Sequence, residues 1–503
     1  MAGTSTDTNG QVPIPGTPPT AAPEATASPE ATPSPELTAA PEPEPTPTGV
    51  TARPHRATLP AATLAVTSLA TMVALMNYTT PMLSLPTLTA EFGTPLSAQA
   101  WLLNGTPLGL AALLLVAGSL ADDYGRRRLF LIGTFALGVS TALGALAGDS
   151  LFFTLTRVAQ GAASAAIIAS SLGLLVHAFP AGHARIRATG VWGAFVSGGI
   201  ALGPLLAGAL NSTSWRLPYV ILGAAALVTA AFATRVLTES RAPQRTRPDL
   251  TGALTLALAL TALISALTLG RDGWLRAPVL LLLAAAVVLT AVFAAVERRT
   301  TAPLIDLGLL RRPLFQAASV GGLFTGLAVI GMMSYLPSLL QGTIRLSALG
   351  AAWLFVLWAG TAFVVALQAR RLSGRVAARH QLAFGFVLHA VGAPAIMVAL
   401  DAGSLVGLLP GLFVAGVGSG LLNAALPRLS VESVPPERAA MGSGANNTAR
   451  YIGSAAGVAL MIAVATSGGS REAGANAAIL VATALSLVAA ALMLVLKDRT
   501  PSP

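Results

Sequence analysis

Few side chains in this 503-residue chain could do chemistry in an apolar setting, and their placement narrows what that chemistry is. Arg157 and Arg450 each stand inside a long apolar run, where a cation is costly; Arg157 is expected to face a cavity and find partners, with pairing to backbone carbonyls purely for structure as the alternative. Gln160 and Gly161 follow Arg157 on the same run, and Asn446 and Asn447 precede Arg450. His389, in another apolar run, could titrate near neutrality, although a packed neutral imidazole is the plainer role. The acids beyond residue 52, among them Glu91, Asp122, Asp149, Glu239, Glu297 and Glu432, all fall between such runs or at their ends. There is no cysteine, which excludes disulfides and thiolate metal sites. No metal-ligand cluster, nucleophile–base pair or phosphate-binding loop is visible, so neither an enzyme nor a bound metal or cofactor is expected. What remains is binding and charge.

Two further patterns concern shape. In Gly118-Ser-Leu-Ala-Asp122-Asp-Tyr-Gly125-Arg-Arg-Arg128, Gly118 is expected to let a helix end pack closely and Gly125 to permit a tight turn. Asp122 can cap a helix or pair with Arg126 and Arg127, and the arginines suit the cytoplasmic side of a membrane. In Gly199-Ile-Ala-Leu-Gly203-Pro204-Leu-Leu-Ala-Gly208, the spaced glycines let helices approach and Pro204 is expected to kink its helix.

The elements that must position these residues are membrane spans. Hydrophobic residues make up 54% of the chain and charged ones 10%, where a soluble protein carries about a quarter charged residues. The fold class expected is therefore an all-α polytopic membrane protein. Fourteen apolar segments are long enough to cross a bilayer: about 60–86, 98–121, 128–148, 150–179, 187–210, 215–237, 250–270, 277–296, 314–340, 346–369, 381–400, 404–425, 438–466 and 475–496. Residues 1–57, rich in Pro, Ala, Thr and Glu, lack the apolar content to fold and read as a disordered cytoplasmic tail. The tail opens without a basic stretch before an apolar core, so a secretory leader is not expected.

An even span count places both termini on one side. Starting from the cytoplasm, 23 Lys and Arg fall in cytoplasmic segments and five in external ones (Arg216, Arg271, Arg276, Arg345 and Arg471). That bias predicts a multi-pass protein of the plasma membrane with cytoplasmic termini. It also accounts for the net charge of +10 without nucleic acid as a partner. Leu372-Ser-Gly374-Arg-Val-Ala-Ala378-Arg379 echoes the Gly118–Arg128 stretch after the tenth span, as expected of two related halves. The expected organisation is a six-helix bundle over 58–237, a linker with an extra helix pair over 238–312, and a second six-helix bundle over 313–503.

The Gly118–Arg128 stretch resembles the G-x-L-A-D-x-x-G-R-(R/K) signature of the major facilitator superfamily, with Asp123 where a basic residue is commoner. Arg157-Val-Ala-Gln160-Gly161-Ala-Ala-Ser-Ala165 is similar to that family's R-x-x-Q-G-x-G-A-A, with Ala163 for the second glycine, and Gly199–Gly208 to its exporter signature. With fourteen spans, the chain resembles the drug–proton antiporter branch over about residues 60–496.

The resemblance implies a conformational switch at Gly118, Asp122, Gly125, Arg126 and Arg127, and transport or coupling roles for Arg157, Gln160, Gly161 and Arg450. It further implies an exporter element at Gly199, Gly203, Pro204 and Gly208, and a substrate cavity drawn from Asn77, Asn104, Trp192, Tyr335, Trp353, Trp358, Asn423, Asn446 and Asn447. The function it implies is export of a hydrophobic or amphipathic small molecule by alternating access and proton antiport, as in multidrug or antibiotic resistance. The partners are then the lipid bilayer, the small molecule and protons. One departure matters: where the branch carries a proton-accepting aspartate in the first span, aligned on Leu85-Pro86, this chain has Asn77. Without an acid at mid-bilayer, neutral or anionic cargo is expected over cations. An uncoupled facilitator or lipid transporter, and a non-transporting sensor, are the alternatives.

Overall fold

The structure is a computed structural model that describes residues 60–95, 98–180, 183–240, 249–270, 273–300, 307–369, 375–435, 439–467 and 470–496. The predicted tail over 1–57, the linker segment 241–248 and the Leu372–Gly374 part of the repeat lie outside these residues, as does the side chain of Asp122.

The described residues are all-helical. They contain fourteen helical segments long and apolar enough to cross a bilayer. The helices are α1 (Pro60–Glu91), α2 (Gln99–Tyr124), α3 (Arg126–Ala145), α4 (Ser150–Ala178), α5 (His183–Leu210), α6 (Leu217–Val236), α7 (Leu250–Leu269) and α8 (Ala277–Glu297). They continue with α9 (Pro313–Phe324), α10 (Gly331–Thr343), α11 (Ala348–Ala369), α12 (Ala378–Asp401), α13 (Leu405–Glu432), α14 (Ala439–Ser467) and α15 (Arg471–Val495). A π-helical segment, Thr325–Ile330, joins α9 to α10, so the ninth span is two helices with a bulge between them.

Local chemistry sets several ends. Asp149 caps α4 by accepting from Phe152 N at 2.9 Å, and Asp249 caps α7 by accepting from Gly252 N at 2.8 Å. Ser404 and Ser470 do the same for α13 and α15. Within the spans, buried hydroxyls such as Thr67, Thr134 and Ser164 return their protons to the carbonyl four residues back, which satisfies them where no water is at hand.

Helices α1–α6 pack on one another, chiefly α1 on α5, α2 on α4 and α3 on α4 and α6. Helices α9–α15 form a second set, with α12 on α13 and α15, α11 on α13 and α14 on α9. The sets meet along two seams, α2 with α14 and α5 with α11. The α7–α8 hairpin attaches through α7 to α2 and α14. There Leu115, Leu256, Leu260 and Phe293 form a small apolar cluster with Ile452 beside it, so the extra pair covers the first seam. At the end of the bundle opposite Gly125, Phe92, Phe153, Trp215 and Tyr219 cluster with centroids 5.3–6.1 Å apart, edge to face except for the tilted Phe92–Phe153 pair.

Candidate functional site

Arg157 on α4 is fully buried. Its Nη1 donates to the main-chain carbonyl of Asn77 at 2.6 Å, to Asn77 Oδ1 at 3.0 Å and to Gln160 Oε1 at 2.7 Å. Its Nη2 donates to the Tyr78 carbonyl at 3.1 Å. The amides that receive it are themselves anchored to α3: Gln160 Nε2 donates to the Ser140 carbonyl at 3.2 Å, and Asn77 Nδ2 donates to Thr141 Oγ1. Every acceptor in this set is neutral. The cation is held by convergent carbonyl dipoles rather than by a counter-ion, and it ties α4 to the middle of α1. Gly161, one turn from Arg157, allows α4 to touch α2 backbone to backbone; a Cβ there would fall 3.0 Å from the Gly109 Cα.

The cavity lies elsewhere, between the two helix sets. In the half of the bundle nearer Gly125 it measures about 570 Å³, and it is walled by the first half of α5, the last turns of α11, and the Gly125-end halves of α13 and α14. Towards the middle of the bundle lies a narrower apolar pocket of about 80 Å³ that shares Leu75, Ser197, Ile200, Phe363, Asn423, Arg450 and Tyr451 with it. The π-helical segment supplies Thr325, Val329 and Ile330 to this inner pocket. The bulge lies where this span packs closely on α14. A Cβ at Gly331 would lie 2.7 Å from the Gly457 Cα, and one at Gly453 would lie 3.0 Å from Leu327 N, so the span and α14 touch backbone to backbone here.

Tyr78 joins the arginine core to the cavity. Its carbonyl receives Arg157, its ring meets Tyr451 edge to face at 6.2 Å, and its hydroxyl is 2.9 Å from Ser454 Oγ on α14. Arg450 in turn stands 5.4 Å from the Tyr451 ring centroid and donates to Asn447 Oδ1 at 2.9 Å.

The predicted cavity residues separate into groups. Trp192, Asn423, Asn446 and Asn447 line the larger cavity, and Trp358 lines the inner pocket. Trp192 Nε1 donates to Thr71 Oγ1 at 3.0 Å and Asn446 Nδ2 to the Ala318 carbonyl at 2.6 Å. Asn77 and Gln160 are enclosed in the arginine core, and Arg157 itself borders none of the cavities described. Asn104 sits at the covered seam, where its Nδ2 donates to Thr268 Oγ1 on α7 at 3.1 Å and to the Ala455 carbonyl on α14 at 3.0 Å. Tyr335 lines a separate space of about 600 Å³ at the end opposite Gly125, and Trp353 points outward with 57% of its surface exposed. His389 is buried between α12 and α15, with Nδ1 3.0 Å from Ser486 Oγ, away from both cavities.

The shape motifs are placed as follows. Gly125 has φ +121°, the conformation the turn between α2 and α3 requires. A Cβ at Gly118 would meet nothing within 4 Å, so that position is not the close approach expected of it. On α5, Gly199 and Gly203 face α1, and Gly208 reaches α11, where a Cβ would lie 3.0 Å from the Ala348 carbonyl. The helix runs on through Pro204.

One participant was not singled out from sequence. Gly125 offers no side-chain cap to α3, and Glu239, just beyond α6, does so instead. Its Oε1 accepts from Arg127 N at 3.1 Å while the Ser240 carbonyl accepts from Arg126 N at 3.0 Å, and Arg128 Nε lies 3.8 Å from Oε2. The motif arginines fasten the same corner: Arg126 donates to the Gly173 carbonyl of α4 at 3.2 Å and Arg127 to the Thr234 carbonyl of α6 at 2.7 Å. The available signal was a lone acid in the basic interval Arg235–Arg247.

Comparison with known proteins agrees with this arrangement. The family described as Major Facilitator Superfamily matches residues 67–458. The chain is 32% identical over 433 residues to the "Probable actinorhodin transporter" of Streptomyces coelicolor, covering 83% of this chain and 74% of that one. It is also 32% identical to "Multidrug resistance protein Stp" of Mycobacterium tuberculosis, covering 79% and 74% respectively. Among solved structures, a bacterial homologue of the human lysosomal transporter Spinster in an inward-facing, occupied state superposes with a TM-score of 0.62 at 16% identity, over 88% of this chain and 97% of that one, a likeness of fold. The chain is a multi-pass membrane protein and belongs to the Major Facilitator Superfamily.

Proposed function

We propose that the protein exports a hydrophobic or amphipathic small molecule, a drug or natural product, across the plasma membrane by alternating access. One observation carries this reading: a cavity between the two helix sets whose charged lining, among the described residues, is Arg428 and Arg450 and holds no acid. Arg428 is already met by Glu432 at 2.6 Å. Such a wall disfavours organic cations and suits neutral or anionic cargo. The names of the similar proteins, an actinorhodin transporter and a multidrug resistance protein, support export of this kind of molecule. The excess of Lys and Arg on the loops of the Gly125 end supports a cytoplasmic assignment for that end and for both termini. The cavity then faces the cytoplasm, and the Gly208 contact between α5 and α11 closes the external side. Transport requires the reverse arrangement, with that contact parted and the first half of α5 brought to the last turns of α11.

Proton antiport is the driving force we assign. Asn77 cannot titrate, so the proton must travel on another group: Asp122, the cargo itself, or His389. The same asparagine favours a second reading, a facilitator or lipid transporter without coupling. Purified protein in liposomes decides between them. Export of neutral and anionic amphiphiles that rises with an imposed pH gradient is the expected result. Flux indifferent to the gradient supports the facilitator, and preferential export of cationic amphiphiles overturns the assignment of cargo.

A further inference from the structure

Arg450 borders both the larger cavity and the inner pocket, and among the described residues it is the sole charged one lining the inner pocket. Its Nη2 is taken by the neutral Asn447 amide at 2.9 Å, and its Nε is buried without a hydrogen-bond partner. The other lining cation, Arg428, has both Glu432 at 2.6 Å and the Val376 carbonyl at 3.2 Å. Arg450 therefore presents a guanidinium to an apolar space without a counter-ion among the described residues of the wall. A carboxylate fits the planar fork of a guanidinium, and the attraction is strengthened where water is scarce.

The surroundings of that cation are aromatic. Tyr451 lies beneath it, and Phe355 and Trp358 meet at 5.2 Å and 66° in the same pocket. Trp358 is held in one orientation by its Nε1 donating to Ser419 Oγ at 3.0 Å, so a flat face is fixed rather than adaptable. Asn423, an exposed amide, opens onto both spaces. We infer that this site takes an aromatic organic acid in its anionic form, the carboxylate or ionised phenol on Arg450 and the ring system against Phe355 and Trp358. The inference rests on the export reading and narrows it: the preferred cargo is an anion, and neutral amphiphiles are secondary. A weak-acid cargo also brings a titratable group to spans in which Asn77 offers none.

The test uses the full chain in detergent with naphthalene-2-carboxylate and its uncharged methyl ester, titrated by calorimetry. The acid is expected to bind at least about tenfold more tightly than the ester. Arg450→Gln should remove that difference while ester binding persists, and Arg450→Lys, which keeps the charge, should retain part of it. Should Arg450→Gln fail to fold, the acid-to-ester ratio in the wild type and in Arg450→Lys still decides. Equal binding of acid and ester, absence of acid binding, or an acid preference that survives Arg450→Gln overturns the inference. Liposome flux separates it from the broader reading. Ester exported as fast as acid removes the anion preference and leaves export standing. Arg450-dependent binding with no flux of either compound leaves the site standing and removes export.

Discussion

Arg157 Nη1 grips Asn77 twice, at the main-chain carbonyl (2.6 Å) and at the side-chain Oδ1 (3.0 Å), so a neutral amide faces a buried cation across α1 and α4. Asn77→Asp would place a carboxylate on that guanidinium without altering the shape of the side chain. The Thr141 hydroxyl, now an acceptor from Asn77 Nδ2, would turn to donate. The expected outcome is a folded protein whose initial export rate, plotted against external pH, acquires an inflection in addition to those of the wild type. A profile unchanged from the wild type would show that a charge at this position does not reach the transport cycle.

Glu239 caps α3 from outside its own helix, which separates the roles of its charge and its oxygen. Glu239→Gln keeps an acceptor for Arg127 N and should cost no more than about 1 kcal/mol, the usual size of a charge at a helix start. Glu239→Ala leaves the first turn of α3 without that acceptor. It should lower the unfolding temperature further and speed trypsin cleavage at Arg126–Arg128, both measured on purified protein.

Gly203 and Gly198 lie on the same helix and differ in what they face. A Cβ at Gly203 would stand 2.5 Å from the Met76 carbonyl and 3.0 Å from the Met76 Cα, whereas one at Gly198 meets nothing within 4 Å. Gly203→Ala should therefore force α1 and α5 apart and destabilise by about 1–3 kcal/mol. Gly198→Ala should be neutral or stabilising by up to about 1 kcal/mol through helix propensity. Thermal unfolding in detergent checks the pair, and equal shifts would show that the α1–α5 approach is not tight.

Asn104 binds three elements through one amide nitrogen. Asn104→Leu removes its bonds to Thr268 and to the Ala455 carbonyl. Hydrogen bonds between helices in a bilayer are each worth about 0.6–1.7 kcal/mol, so the loss of unfolding free energy should be modest. Amide exchange should quicken in α7, where the Thr268 contact is lost, and leave α12 unchanged.

The number of spans was legible because bilayer thickness sets a length that apolar runs must reach. Their ends were less so. α1 passes Pro86 to reach Glu91, and α13 reaches Glu432 where the apolar run suggested 425, since helices continue into water on capping and polar contacts alone. The ninth span was expected as one helix over 314–340, and its π-helical segment lies against glycines on a partner 130 residues away. Rotation about the helix axis was the least legible property. Trp353 and Trp358, five residues apart on α11, point about 140° from each other. Trp353 is exposed at 57% and Trp358 buried at 8%, yet the helix is apolar all round and shows no face in its sequence. Arg157 was expected beside a cavity because a buried cation needs partners. Neutral carbonyls from α1 and Gln160 met that need, the alternative the sequence left open, and only the packing of α1 against α4 identifies which carbonyls they are.

The α7–α8 hairpin makes the two flanks of the transporter unequal. With α7 laid over α2 and α14, that side presents a second layer of helix to the lipid. On the other flank, the cavity walls are α5 and α11 themselves, among them Trp192, Phe363 and Leu367. A solute dissolved in the leaflet would thus meet a doubled wall of helix on one side and a single one on the other.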